Sequence, residues 1–213
     1  GRHRNSQKRI YIPGATYFIT TVTHGRFPYF EEEIFRKLFV DELLFCSELE
    51  SFAIFGYAVM PDHAHLLIRP TGGFTYSQIM HFIKRHCARN ANFIMGYARP
   101  DDDDECAIHP LECAPEGAIG QSRLRGRIRG DARLNEFLMK IRNYREKFVG
   151  DMGIDLHFPR FDCRKRQYAL SPFHDHIIRD MDDLRNHLAY IARQCSHHGC
   201  GGSVWVDGMD DES

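Results

Sequence analysis

Two apolar runs separated by a two-residue break constrain the fold of this 213-residue chain more than any other feature. Residues 52–60 are nearly continuous in apolar and aromatic side chains, and a second run covers residues 63–69 after Pro61-Asp62. Short apolar runs bounded by turn residues are typical of buried strands, and so short a connection joins antiparallel neighbours. The sequence therefore predicts a β-hairpin over residues 52–69.

The patterns on both sides of this hairpin predict an α+β domain. Strand-like and helix-like periodicities indicate further strands over 17–23 and 173–179, and helices over 31–50, 76–87, 134–148 and 184–194. The order β-α-β-β-α-(insertion)-β-α is that of a ferredoxin-like split βαβ domain. We therefore expect an antiparallel sheet with the helices on one side.

Length and composition favour one domain over the whole of 1–213. The chain is 43% apolar, which is enough for one substantial core. From about residue 97 to 159 the character changes, with an acidic run at 101–105, Pro and Gly punctuation and an Arg-rich segment at 123–129. We interpret residues 97–159 as an insertion into the domain.

Charge and hydropathy exclude several classes of protein. The net charge of −1 argues against bulk attraction to duplex DNA, although the clustered cations can build a local basic groove. No run approaches the ~20 apolar residues of a membrane span, and the polar start lacks the hydrophobic stretch of a secretory signal. Seven cysteines without a CxxC pair fit reduced thiols. We expect a soluble, cytoplasmic protein with no membrane partner.

A pair of histidines opens the second apolar run. Alternate residues of a strand project from one face, ~6–7 Å apart, so that His63 and His65 can converge on one ion. Imidazole binds transition metals as well as Mn²⁺. Such a pair on an apolar strand is more often structural, and the spacing alone leaves both interpretations open.

A tyrosine and a glutamine share one face of the predicted helix 184–194. Tyr190 and Gln194 are four residues apart, which places them together. An amide oxygen suits Mg²⁺ or Mn²⁺, and an activated phenol can attack a phosphodiester. A tyrosine beside an apolar stripe is ordinarily a packed ring with its hydroxyl in water, so this pair also stays open.

Four cations are candidates for phosphate contacts. Arg85 and Arg89 lie on the side of the second predicted helix opposite its apolar stripe at 76–87, and Lys8 and Arg9 belong to the basic N-terminal cluster. If these residues bind phosphate, affinity for DNA will fall steeply with salt.

Three sequence segments, two of which contain the histidine pair and the tyrosine, make a chance spacing a poor explanation. They are the run 57–68 with Met-Pro-Asp-His-Ala-His at its centre, Phe-His-Asp-His-Ile-Ile-Arg-Asp at 173–180, and Leu-Ala-Tyr-Ile at 188–191. They resemble the Y1 transposases, the IS200-like family of HUH single-strand nucleases, and most of all the REP-associated tyrosine transposases. The opening strand at 9–20 also resembles that branch. The long insertion and the Arg166–Pro172 segment depart from its pattern.

The resemblance implies a role for each matching residue. His63 and His65 would be metal ligands, Gln194 would complete the site for Mg²⁺ or Mn²⁺, and Tyr190 would be the single nucleophile. His176 and Arg179 match a motif of the branch and would support the edge of the active site or contact DNA. Tyr168 is a rival nucleophile but has no Gln or Asn one turn away.

The resemblance also implies an activity and its setting. It implies a transposase that cleaves and rejoins single-stranded DNA near a hairpin through a 5′-phosphotyrosine intermediate, in a prokaryotic cytoplasm and at the nucleoid. The alternative is a domesticated, non-catalytic protein that binds hairpin or single-stranded DNA. A metal-dependent hydrolase of small phosphoesters would leave Tyr190 without a role. A monomer is expected, with a homodimer as the alternative.

Overall fold

The computed structural model describes residues 10–97, 132–152, 158–159, 173–198 and 203–206. Its main elements are β1 Tyr17–Val22, α1 Glu33–Glu50, β2 Phe52–Met60, β3 His63–Pro70, α2 Tyr76–Ile94, α3 Ala132–Met152, β4 His174–Ile177, α4 Met181–His198 and β5 Ser203–Val206. Lys8, Arg9, Tyr168 and the Arg-rich segment 123–129 lie outside the described residues. Within these described residues, no helix is both long enough and apolar enough to cross a membrane.

The five strands form one sheet in the order β4-β1-β3-β2-β5, and all neighbours are antiparallel. The first four strands have the arrangement of a split βαβ domain, which confirms the predicted α+β class. The predicted hairpin is present as β2 and β3, paired from Phe52 with Pro70 to Met60 with His63. The short edge strand β5 was not predicted from the sequence.

The two faces of the sheet carry different helices. Ala64, Leu66 and Ile68 of β3 belong to the large core that α1, α2 and α3 cover. The intervening Leu67 packs instead in a small cluster with Ile191 of α4. Because side chains alternate along a strand, α4 lies on the face opposite the other helices. The expectation of helices on one side therefore does not hold for α4.

Helix α3, which falls within the predicted insertion, is part of the large core. Phe137 stacks on Phe45 of α1 with ring centroids 4.4 Å apart and planes within 6° of parallel. Ile141 is completely buried, and Phe148 packs on Phe35. The helical part of residues 97–159 is thus integrated with α1 and α2.

Candidate active site

The register of β3 directs both histidines toward α4. His65 pairs with Thr20 of β1 and Ala58 of β2, and His63 is two residues before it. Both therefore share the face of Leu67, which packs against α4. Their rings lie 4.9 Å apart between centroids and 80° between planes. The predicted convergence of His63 and His65 is present in the structure.

Each histidine is held through its Nδ1 atom. His63 Nδ1 donates to Asp62 Oδ1 at 2.7 Å, and His65 Nδ1 shares a hydrogen bond of 2.9 Å with Thr20 Oγ1. When Nδ1 carries the proton, Nε2 is left as the ligand atom, which is the usual arrangement for a metal-binding histidine and its supporting residue. His65 is also only 5% exposed, so its ring has little freedom to turn away.

Asp62 is itself fixed by a cation. Arg26 Nη1 donates to Asp62 Oδ2 at 3.0 Å. Partial burial alone would raise the pKa of the Asp62 carboxyl, but the hydrogen bonds from His63 and Arg26 outweigh burial and lower it. Asp62 therefore stays ionised at neutral pH and keeps His63 in one orientation.

Tyr190 reaches this histidine pair from helix α4, which covers the face that carries them. Helix α4 packs on the sheet through Leu184, Leu188 and Ile191, and Tyr190 lies beside that stripe. Its Oη atom is 3.4 Å from His65 Nε2, and the two rings meet nearly edge to face at 5.2 Å. Tyr190 is 47% exposed, so its hydroxyl adjoins the histidine and also remains accessible to a substrate.

Gln194 lies one helical turn beyond Tyr190 and is 4% exposed. Its Nε2 donates to the carbonyl oxygen of Tyr190 at 3.3 Å. This orientation leaves Oε1 as the amide atom able to bind a cation. The structure thus gives Gln194 a suitable donor atom, while its role as a ligand remains a prediction.

Phe18 connects the parts of the site, a contact that sequence reasoning missed. Its ring stacks on His65 at 5.4 Å and meets Tyr190 at 5.9 Å and His187 at 4.5 Å. Phe18 and Thr20 are two residues apart on β1 and therefore project from the same face of the strand. This period of two was the signal that could have placed both beside His65.

A second cluster lies where β4 passes into α4. Asp183 Oδ2 accepts from His176 Nε2 at 3.0 Å, and from the backbone N–H and Nε of Arg179 at 3.0 and 3.2 Å. His187 Nδ1 donates to the Asp183 carbonyl at 2.8 Å, and its ring stacks on His176. The backbone N–H of Arg179, followed by His176, lowers the pKa of Asp183. His176 and Arg179 therefore secure the start of the helix that carries Tyr190.

The arginines predicted to contact phosphate are less exposed to solvent than expected. Arg85 and Arg89 are half-buried, and each interacts with other groups of the protein. Helix α2 packs against α1 and also against α3, so the side expected to face solvent is partly covered. Their contact with DNA remains a prediction.

The site thus combines a split βαβ sheet, paired histidines on its central strand and a tyrosine on the helix beside them. Residues 12–95 match the family of IS200-like transposases, which confirms the resemblance over this part of the chain. A solved structure of a REP-associated tyrosine transposase bound to a REP hairpin aligns with 90% of this chain and 73% of its own, at 18% identity and a TM-score of 0.42. No curated protein matches the chain.

Proposed function

We propose that this protein is a metal-dependent nuclease and strand transferase that cuts and rejoins single-stranded DNA near a hairpin. The observation that carries the proposal is the 3.4 Å separation between Tyr190 Oη and His65 Nε2. A packed tyrosine without a chemical role would not need its hydroxyl beside Nε2 of an oriented histidine. The family match over residues 12–95 supports the same conclusion.

The donor set fits a divalent cation. His63 Nε2, His65 Nε2 and Gln194 Oε1 would hold Mg²⁺ or Mn²⁺, because two imidazoles and an amide oxygen suit these ions and the Nδ1 atoms already have supporting partners. Such an ion supplies Lewis acidity to a phosphate oxygen.

Tyr190 is then the nucleophile. The phenoxide is the attacking form of a tyrosine, so attack requires release of the hydroxyl proton. Tyr190 is half-exposed, so this proton can pass to solvent. The Oη–P bond forms while the bond from phosphorus to the 3′-oxygen breaks, and that oxygen takes up a proton to become a 3′-hydroxyl.

Rejoining is the reverse of this step. A 3′-hydroxyl attacks the phosphotyrosine, and the phenol leaves with a proton. Phenoxide is a better leaving group than an alkoxide, so the energy of the cut bond is retained in the intermediate. Phe18 and His65 hold the tyrosine ring between the two steps.

The test is covalent trapping of labelled DNA. Hairpin-bearing single-stranded oligonucleotides are incubated with the protein and Mn²⁺ or Mg²⁺, and the products are separated on a denaturing gel. We expect an adduct with the wild type and none with Tyr190→Phe or His63→Ala. The matched control is Tyr168→Phe, which should still form the adduct.

Other outcomes separate the competing functions. Hairpin binding that is equal in wild type and His63→Ala, with no adduct in either, would identify a non-catalytic binder. An adduct lost in Tyr168→Phe and kept in Tyr190→Phe would reassign the nucleophile. Binding that does not weaken as salt is raised would count against phosphate contacts by Lys8, Arg9, Arg85 and Arg89.

A further inference from the structure

A cavity of about 550 Å³ lies at the end of β3 farthest from the histidines. Its wall is formed by the segment 11–14, by Arg69, and by the turn 70–75 that leads into α2. This volume falls within the roughly 300–1,000 Å³ of small-ligand sites. The residues of the candidate active site do not line it, so the cavity is a second candidate binding site.

Three tyrosine rings form one side of the cavity. Tyr17 stacks on Tyr76 at 4.2 Å, and Tyr11 lies on Tyr76 at 5.2 Å. Tyr17 and Tyr76 are buried, whereas Tyr11 is 47% exposed and ends the stack. The stack therefore presents an aromatic surface to whatever enters the cavity.

The exposed end of this stack is held in place by its neighbours. Tyr17 Oη accepts a hydrogen bond from the backbone N–H of Ile12 at 2.8 Å. The turn 12–15 is closed by the backbone N–H of Ala15, which donates to the carbonyl oxygen of Ile12 at 3.1 Å. Gly14 adopts a φ of +72°, which a glycine tolerates without strain. The Tyr11 ring is thus preorganised on a fixed backbone.

Arg69 gives the cavity its charge. Its Nε donates to Thr16 Oγ1 at 2.9 Å, and its guanidinium lies over the Phe55 ring at 4.8 Å. Among the described residues that line the cavity, Arg69 is the charged one. An aromatic face and a fixed guanidinium that line the same cavity suit an unpaired nucleobase and its phosphate, because every base stacks on such a face and the phosphate needs a cation.

We propose that this cavity binds one unpaired nucleotide of the DNA strand that is cleaved, with its base stacked on Tyr11 and its phosphate at Arg69. This inference rests on the proposed function, since it takes single-stranded DNA as the substrate. Arg69 is six positions beyond His63 in β3, which is ~20 Å along an extended strand. At 3.4 Å per stacked nucleotide, the bound base lies within about six nucleotides of the scissile phosphate.

The experiment combines a protein substitution with the removal of single bases. Hairpin oligonucleotides carry one abasic site at successive positions of the single-stranded flank, and their dissociation constants are measured at fixed salt. All proteins carry Tyr190→Phe so that binding is read without cleavage. The variants are Tyr11→Ala, Tyr11→Phe and Arg69→Gln, with Met139→Ala and Arg142→Gln on the exposed side of α3 as matched controls.

We expect one flank position at which the abasic site weakens binding roughly 5- to 150-fold, the range for loss of one stacked base. Tyr11→Ala should weaken binding to intact DNA by a similar factor and abolish the effect of that abasic site. Tyr11→Phe should retain both the affinity for intact DNA and the effect of that abasic site, because the phenyl ring still stacks. Arg69→Gln should weaken binding and lower its salt dependence, and both controls should match the parent.

Two results separate this inference from the proposed function. In the first, the effects of Tyr11→Ala and of each abasic site on the dissociation constant multiply independently, and the protein that retains Tyr190 forms normal adducts. This result would overturn the nucleotide site alone. Coupling at one position without any adduct would retain the nucleotide site and refute the nuclease. Failure of all the oligonucleotides to bind would refute both. Thermal melts of each variant verify that the fold is intact.

Discussion

The stability of this protein should fall as pH rises, because Glu42 is buried without a full set of partners. Glu42 is completely buried between α1 and α2, and burial raises its pKa from 4.5 to about 8 despite a hydrogen bond from Asn90. Among the described residues, its Oε2 atom has no hydrogen-bond partner, and His86 Nδ1 lies 3.8 Å from it. The folded protein therefore keeps Glu42 protonated at pH 7.

The sign and size follow from proton linkage. Between pH 4.5 and about 8 the folded state binds more protons at Glu42 than the unfolded chain, so the free energy of unfolding decreases with pH across this window. Two such pKa values imply a loss of roughly 2–3 kcal/mol from pH 5 to pH 7. Burial also raises the pKa of Glu50 to about 7, which adds a loss of the same sign.

Urea denaturation at pH 5, 6 and 7 measures this slope. Replacing Glu42 by Gln keeps the shape and removes the titration, so the pH-dependent loss should shrink by roughly 2–3 kcal/mol relative to wild type. Glu146→Gln on the exposed side of α3 is the control and should leave the slope unchanged.

The opposite charge state gives a distinct result. If Glu42 were ionised and paired with protonated His86, wild-type stability would not decline from pH 5 to pH 6, and Glu42→Gln would leave an unpaired buried cation. An equal slope in wild type and Glu42→Gln would also refute the reasoning.

Three further predictions concern α3, α4 and the proposed ion. Phe137→Ala removes the ring stacked on Phe45 and should lower the free energy of unfolding by about 3–5 kcal/mol in urea denaturation. Asp183→Asn weakens the bonds from His176 and Arg179 at the start of α4, and should reduce the rate of adduct formation in a gel time course while hairpin affinity is kept. Chelation by EDTA should abolish the adduct without releasing the hairpin, as a gel shift would detect.

Each of these predictions has a matched control. Val149→Ala on the outer side of α3 should change stability by less than about 1 kcal/mol, and an equal effect of Phe137→Ala would argue that α3 does not belong to the core. Asp182→Asn, at an exposed carboxylate, should form adducts at the wild-type rate. Added Mn²⁺ should restore the chelated protein, and adducts that persist in EDTA would contradict the metal requirement.

The features that the sequence predicted well have strong local periodicities. The boundaries of β2 agree with the predicted run 52–60, and the period of two places His63 and His65 on one face. The helical spacing likewise places Tyr190 and Gln194 on the same helix. These results need no knowledge of distant contacts, because the pattern is contained in a few consecutive residues.

The features that were missed depend on tertiary contacts. Strand β5 has four residues and exists through its pairing with β2. Arg85 is half-buried, and the helix that carries it packs against α3, a contact that no local pattern indicates. The contacts of Phe18 with His187 and Tyr190 join residues more than 160 positions apart in sequence. Such contacts follow from the face on which α4 packs, which a sequence pattern leaves undetermined.

Helix α4 packs in a different apolar cluster from the other helices. Because its apolar side packs in the small cluster with Leu67, and the other helices pack in the large core, α4 can open without exposing that core. Amide hydrogens of α4 should therefore exchange with solvent through a lower-energy opening than those of α1 and α2. On the proposed function, Tyr190 can retreat with α4 while the histidines stay on β3, which gives the strand room to be replaced before it is rejoined.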